Sequence, residues 1–460
     1  MRIVVSEINN RSVGFLVEDG RLIEVFRAGN GQTENGRKEK SPEHFRVGEI
    51  LVGRVRDVRS GLSAAFVNLS ESSKEMEALG GAAYLPFSEL PAGMSLRPEQ
   101  LLPVQIVALP SGSKPFRVTS KLSLSGRYCA VGENIRGIQA SKKLPRPMAS
   151  KLKEQVRDYF GYHAVPGSAG TPAGEKEDGE RNGTGTSPVS AVPESPEKIP
   201  FSGDVGIMIR TNARIPAEEG NPEAVTEEAE SLMRKLRQIR AAAAARTGGS
   251  VLYPGDDELY GKIRDCIPEK IIIDTGVPEE IRKKAEDAAA QYRVPAEALP
   301  GENTVSGTAS YLVVSGIRRQ IDELKNRRIW LKSGAYLVID RTEALTAIDV
   351  NTGKSEAAVR ANGSGFHEEA AEKHRFEVNM EAADEIFRQI RLRNLAGMIL
   401  IDFINVSAEH RKMLGEKLER LCRKDPLPTS FVDFTGLGLA EITRRKNGES
   451  PEQICFCENT

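Results

Sequence analysis

Cysteine is scarce, with five residues in 460, at Cys129, Cys266, Cys422, Cys455 and Cys457. Three are scattered and two lie close together near the end, so no disulfide framework is apparent and a reducing cytoplasm is expected. Long apolar runs are lacking too. No stretch reaches the ~18 residues of a bilayer-crossing helix, so no membrane span is expected. The opening MRIVVSEINNRSVGFLVEDG alternates apolar and polar residues instead of placing an apolar segment after a basic one, so no signal peptide is expected. Charge of one sign is missing as well. The net charge is −1 with 28% charged residues, so any nucleic-acid surface must be a local patch. No internal repeat stands out. The glycines of TGLGLAEI (435–442) do not follow the strand–loop–helix spacing of a P-loop or dinucleotide motif.

What is present is a soluble, globular composition, 39% hydrophobic, long enough for about three domains. Residues 1–40 read as an edge hairpin turning near Glu18, Asp19 and Gly20, followed by a polar loop from about residue 28 to 44. Residues 45–124 carry short, turn-bounded strands, the pattern of a small barrel. Residues 164–200 are rich in Gly, Pro, Ser, Thr and Glu and contain no aromatic residue, so they read as a disordered insertion in a domain, with a linker between domains as the second option. A strand resumes at GDVGIMIRTNA (203–213). Helices are expected over 222–246, after Pro278, over 316–328 (basic and amphipathic), over 376–395 and over 410–425, and KIIIDTG (270–276) reads as a strand. AYLVIDRTEALTAIDVNTGK (335–354) reads as two strands in a hairpin, 355–374 as loop, and GMILIDFINV (397–406) as a strand.

Two aspartates stand out. Asp349 in TAIDVNTGK and Asp402 in GMILIDFINV each follow apolar residues in an expected strand. An ionised carboxylate that leaves water there costs several kcal/mol unless compensated. If the two strands are neighbours, the carboxylates converge, and a hard divalent cation relieves both their repulsion and their desolvation. Asn351 shares the face of Asp349 by strand alternation and is suited to orienting a water or a phosphate oxygen. A lone aspartate at a strand end is more often a turn or capping residue, and spacing alone does not rank Asp340 and Glu343 below the pair. Arg388, Arg391 and Arg393 form either a phosphate-positioning set or a solvated helix face.

LKSGAYLVIDRTEALTAIDVNTGK (331–354), NMEAADEIFRQIRLRNLAGMILIDFINV (379–406) and GLGLAEITRRK (436–446) together resemble the ribonuclease E/G family of endoribonucleases. The resemblance implies an α+β multidomain fold, with an OB-fold barrel inserted in an RNase H-like and 5′-sensor region, followed by a DNase I-like catalytic domain. The implied spans are 1–40 and 216–325 for the RNase H-like parts, 41–124 for the barrel, 125–215 for the sensor region and its insert, 326–448 for the catalytic domain, and 449–460 for a truncated zinc-link-like tail. It further implies that Asp349 and Asp402 hold a catalytic Mg²⁺ (Mn²⁺ is not distinguished) with Asn351 in support. Phe66, Tyr84 and Lys114 match RNA-binding positions, and Gly126, Arg210 and Thr211 match a sensor for a 5′-monophosphate. The implied activity is hydrolysis of single-stranded RNA to 5′-phosphate and 3′-hydroxyl ends, in rRNA processing and mRNA decay, stimulated by a 5′-monophosphate.

The tail departs from the family. Cys455 and Cys457 are spaced C-x-C where the family carries C-P-x-C and shares one Zn²⁺ between two chains. Alternation on a strand would put both sulfurs on one face, and two chains would supply four thiolates, which leaves zinc open. A homo-oligomer is expected, a dimer rather than a tetramer. The alternatives to a nuclease are a non-catalytic RNA-binding protein on the same fold and a metal-dependent phosphatase. Retention of Asp349, Asn351 and Asp402 argues against the first, and a barrel carrying Phe66 and Tyr84 argues against the second.

Overall fold

The structure is a computed structural model that describes residues 1–29, 45–72, 76–77, 81–110, 114–161, 205–255, 257–299, 310–353, 368–445 and 448–456. The expected insertion at 164–200, most of the loop at 28–44, the stretch 354–367 and Cys457 lie outside the described residues. The chain forms two compact units, one joining Met1–Arg37 to Asp257–Thr460 and the other comprising Lys38–Asp256.

The first unit contains two sheets. The smaller one runs in the order Ala296–Ala298, Lys270–Ile273, Arg2–Ile8, Arg11–Glu18, Arg21–Arg27. Asn9 and Asn10, both at positive φ, make one tight turn, and Asp19 with Gly20 makes the next. The opening residues are thus three strands, and Arg2–Ile8 is the middle strand of the sheet instead of part of an edge hairpin. Its parallel partner Lys270–Ile273 is too distant in sequence for local pattern to reveal. Apolar side chains leave both faces. Ile3, Val5 and Leu16 pack toward Leu259, Ile263 and Ala285, while Val4, Phe15 and Val17 pack toward Leu312, Ile317 and Ile321. Asp274 is fully buried here and accepts from Ser6 Oγ (2.8 Å), Ser310 Oγ (2.6 Å) and the N–H groups of Thr275 (2.8 Å) and Tyr311 (2.7 Å). Four donors are what a buried carboxylate needs to be tolerated.

The larger sheet has six strands in the order Arg328–Trp330, Tyr336–Arg341, Leu345–Asn351, Gly397–Asp402, Ala440–Arg444, Thr429–Phe434. The expected hairpin at 335–354 is its second and third strands. Leu345–Asn351 and Gly397–Asp402 run parallel, so the chain must cross over between them, and helix Glu368–Leu392 lies on that crossover. This helix and Ala408–Lys424 cover one face, where Ile348, Val350, Ile399 and Ile401 meet Ala382, Ile386, Ile390, Leu414 and Leu418. The basic helix expected over 316–328 is shorter, Ile317–Asp322 with a 3-10 turn after it, because Arg328–Trp330 is drawn into the sheet by pairing with Tyr336–Val338.

The second unit begins with a closed five-stranded barrel, as the short-strand pattern predicts. Ile50–Arg59, Ala64–Asn68, Ala83–Pro86, Arg117–Thr119 and Leu101–Ala108 pair in turn, and Ile50–Arg59 pairs again with Leu101–Ala108 to close it. A Cβ on Gly53 would stand 2.4 Å from Val67 Cγ1, so the closure needs glycine there. The arrangement is OB-like. Beside the barrel in sequence lies a four-stranded sheet, in the order Ile138–Ala140, Gly206–Ile209, Cys129–Gly132, Ser123–Ser125. Helix Glu223–Ala243 packs Val225, Ala229, Met233, Leu236 and Ile239 into the same core as Val131, Ile207 and Ile209. The boundary expected at 215/216 therefore falls inside one core. The reason is that the helix's apolar stripe is satisfied by the sheet that precedes it, not by the residues after 257.

Candidate functional site

Strand alternation decides where the two aspartates point. In the parallel register Asp349 stands directly opposite Asp402, on strands about 4.8 Å apart. The expectation that both are buried is not met. Ile348, Val350, Ile401 and Phe403 take the core side, and Asp349 and Asp402 take the open face. The apolar run before Asp402 misled because its open-face members Met398, 53% exposed, and Leu400 are also apolar. What the fold carries at this point is like-charge repulsion across a strand pair, not desolvation. Asn351 Nδ2 donates to Asp349 Oδ2 at 2.7 Å, on the shared face that alternation predicts.

Backbone after Asp402 is held by a residue that sequence spacing did not single out. Asn379, fully buried in helix Glu368–Leu392, donates from Nδ2 to Ile404 O at 2.7 Å and accepts at Oδ1 from Ile404 N–H at 3.0 Å. Nearby, Glu372 accepts from Ser407 N–H at 2.9 Å and meets His410 Nδ1 at 3.0 Å. The hydrogen bonds from Ser407, and then His410, hold the Glu372 carboxyl below the ordinary carboxylate range. The His410 ring also stacks on Phe376, with centroids 4.3 Å apart. Both helix starts are thus laced to the end of the strand that carries Asp402.

Among the described residues no three His, Cys, Asp or Glu side chains form a metal-binding group. Two carboxylates with an amide at their side suit Mg²⁺, which takes one or two carboxylates and keeps several waters. Asp340 shares the open face but is ion-paired with Arg327, and Glu343 is exposed in the turn at the far end of the hairpin. The three arginines lie at the other end of helix Glu368–Leu392 from the aspartates, and none faces the site. Arg388 pairs with Glu385 and donates to Leu22 O (2.6 Å), and Arg391 pairs with Glu24 (3.3 Å). Arg393, buried, donates to Gln389 Oε1 (2.7 Å), Leu324 O (2.8 Å) and Asn326 O (2.8 Å). They tie the helix to its neighbours, so neither phosphate positioning nor a solvated face describes them.

In the second unit the barrel brings Phe66 and Tyr84 together. They are register partners on adjacent strands, half-buried, with ring centroids 6.1 Å apart in an edge-on pair. Two cations that sequence reading missed sit beside them. The Arg59 guanidinium lies 5.5 Å from the Phe66 centroid, and Arg117 is the register partner of Tyr84. Lys114 is exposed just before the strand that holds Arg117. In the four-stranded sheet Arg210 follows strand Gly206–Ile209 and donates from Nη1 to Gly126 O at 2.6 Å, so two of the three expected residues touch. The third, Thr211, is exposed and shares a 2.9 Å hydrogen bond with Ser141. A Cβ on Gly126 would stand 2.4 Å from the Glu228 carboxyl carbon, so a larger residue there would displace that carboxylate. Glu228 itself accepts from the N–H groups of Arg127 (2.7 Å), Tyr128 (2.7 Å) and Cys129 (2.9 Å).

Comparison with known proteins decides the relationship. The model of the Ribonuclease E/G family matches residues 192–447. The chain belongs to the ribonuclease E/G family. It is 27% identical over 418 residues to ribonuclease E of Nostoc sp., which covers 88% of this chain and 52% of that protein. A ribonuclease E of Synechocystis sp. is similar at 27% over 416 residues, covering 88% and 53%. Ribonuclease G of Escherichia coli is 27% identical over 428 residues, covering 89% and 74%. The chain spans about half the length of the two ribonucleases E. Among the described residues no helix is long and apolar enough to cross a membrane.

The tail differs from the strand that the C-x-C reading assumed. Pro451–Phe456 is a helix, so the alternation expected of a strand does not apply. Cys455 is buried with Ile454 among Val4, Ile8 and Val13, and burial pushes its thiol up to about 12. Cys457 lies outside the described residues.

Proposed function

We propose that this ribonuclease E/G family member is an Mg²⁺-dependent endoribonuclease acting on single-stranded RNA in RNA processing and decay, in the cytoplasm. The observation that carries the reading is the direct register of Asp349 with Asp402 on an open sheet face, with Asn351 bonded to Asp349. In this reading the six-stranded sheet and its two helices are the family's DNase I-like catalytic domain, and the barrel is its RNA-binding domain.

A bound Mg²⁺ would polarise a phosphate oxygen and lower the pKa of an attacking water. Asp349 and Asp402 would hold it through hard carboxylate oxygens, a role that also relieves their mutual repulsion. Asn351 fixes the rotamer of Asp349 and presents an amide to the scissile phosphate or its water. Attack by water with departure of the 3′-oxygen leaves a 5′-phosphate and a 3′-hydroxyl. Phe66 and Tyr84 offer faces on which bases stack whatever the sequence, with Arg59, Arg117 and Lys114 supplying charge for the backbone. Arg210, pinned by Gly126, and Thr211 supply a guanidinium fork and a hydroxyl for a terminal 5′-monophosphate. Zinc is left out of this reading, and a dimer would have to form by other contacts.

The test is cleavage of a short single-stranded RNA by wild type and Asp349→Asn, with Mg²⁺ and with EDTA. Metal-dependent cleavage that disappears in the variant is the expected result. Wild type that binds the RNA without cutting it would shift the reading to a non-catalytic RNA-binding protein.

A further inference from the structure

The open face that carries the aspartates also carries the chain's single tryptophan. Trp330 ends the edge strand Arg328–Trp330 and is 58% exposed, an unusual place for the largest apolar side chain. It does not stand alone. Its register partner Tyr336 lies with its ring centroid 5.1 Å away at a tilt of 57°. The Arg328 guanidinium sits over both rings, 4.5 Å from the Tyr336 centroid and 5.9 Å from that of Trp330. Tyr336 is in turn the register partner of Asn351, the residue bonded to Asp349. One continuous row therefore runs across the sheet, Trp330, Tyr336, Asn351, each about 4.8 Å from the next. Asp349 lies two residues back along the Asn351 strand.

The row is held in place. Gly353, at φ +56, follows the Asn351 strand so closely that a Cβ would stand 2.5 Å from Gly334 O and 3.2 Å from Tyr336 Cδ1. A larger residue there would push on the Tyr336 ring. Beside the rings Arg328 and Lys332 are both exposed, neighbouring Arg327 is paired with Asp340, and the Glu381 carboxylate accepts from the N–H groups of Lys332 and Ser333. An exposed indole and a half-buried phenol ring with a guanidinium across them complement a nucleobase with its phosphate better than an apolar peptide.

We infer that Trp330, Tyr336 and Arg328 form a stacking platform that receives nucleotides of single-stranded RNA on the sheet edge beside Asp349 and Asp402. The rings hold bases and Arg328 holds the backbone, so the platform orients the strand over the carboxylates. This rests on the reading of the chain as a ribonuclease, and it adds a second set of base contacts, in the same unit as the aspartates, to those of the barrel. A second copy of the chain seated on this edge is the rival occupant.

Because Trp330 is the only tryptophan, its emission reports the platform directly. Unlabelled single-stranded RNA is titrated into Asp349→Asn protein, which leaves the RNA intact, while binding of the same RNA carrying a fluorescent label is followed by anisotropy. Quenching of tryptophan emission in step with binding is expected, together with a rise of about tenfold in Kd for Trp330→Ala and a smaller rise for Trp330→Phe. Binding with unchanged emission and an unchanged Kd in Trp330→Ala would overturn the platform while leaving the ribonuclease reading intact. Absence of any anisotropy change would overturn both. Emission that changes on dilution of the protein alone, and not with RNA, would assign the edge to a second copy and overturn the proposal.

Discussion

Asn351 donates to Asp349 at 2.7 Å, and Asp349 stands opposite Asp402. The amide thus fixes one of two carboxylates whose like charges repel. Replacing Asn351 by Ala frees Asp349 to swing away from Asp402 without touching the core, since the side chain lies on the open face. The expected outcome is a stability change within about 0.5 kcal/mol, a kcat lowered by about ten- to a hundredfold, as is typical for groups that orient metal ligands, and a raised Mg²⁺ requirement. An Mg²⁺ titration of cleavage, with thermal unfolding as control, checks it. Unaltered metal dependence would remove Asn351 from the site.

The two bonds between Asn379 and Ile404 predict a different signature. Asn379→Ala removes the partner of both the N–H and the carbonyl of Ile404, which are part-buried, at a total cost of about 1–3 kcal/mol. A lower Tm is therefore expected. The substitution also loosens the turn directly after Asp402, so kcat should fall while KM for RNA stays near wild type. Asn379→Asp keeps the acceptor and loses the donor, and should lie between the two. A rise in KM with unchanged kcat would mean that Asn379 serves RNA binding and not the placement of Asp402.

Cys455 yields a chemical prediction. With its thiol near pKa 12, it carries almost no thiolate at pH 8. Iodoacetamide should leave it unmodified in the folded protein and alkylate it once the chain is unfolded. Burial raises the folded-state value above the unfolded one, so this group costs no stability below about pH 9 and an increasing amount as the pH climbs toward 12. Rapid alkylation at pH 8 would place the sulfur at the surface and restore the zinc link as a reading.

Local pattern carried much of the fold. The hairpin at 335–354 and helix Ala408–Lys424 follow from period 2 and period 3.6, and Asn351 shares the Asp349 face because alternation is a property of any strand. Long-range pairing was not legible. Nothing in MRIVVSEI announces Lys270–Ile273 as its neighbour, and nothing in the helix Glu223–Ala243 says which sheet takes its stripe. Burial of single residues was the least legible. Asp274 in KIIIDTG and Asp402 in MILID follow equally apolar runs, yet the first is buried under four donors and the second is exposed. A sheet covered on both faces and a sheet open on one differ in what packs against them, which no short window contains. The same gap hid Arg59 and Arg117 beside the Phe66–Tyr84 pair, because cross-strand neighbours are set by register.

Arg210 makes the last test, since its contact with Gly126 O separates positioning from charge. A guanidinium offers several N–H donors in one plane, a geometry that a lysine ammonium cannot reproduce. Arg210→Ala should lower cleavage of 5′-monophosphorylated RNA more than that of 5′-hydroxyl RNA, by about ten- to a hundredfold, the range of a lost charge-assisted bond. Arg210→Lys should recover little of the difference. The side chain sits at a strand end and is only half-buried, so folding should persist in both variants, as circular dichroism would verify. Equal losses on the two RNAs would show that Arg210 supports the fold of its four-stranded sheet and does not read the 5′ end.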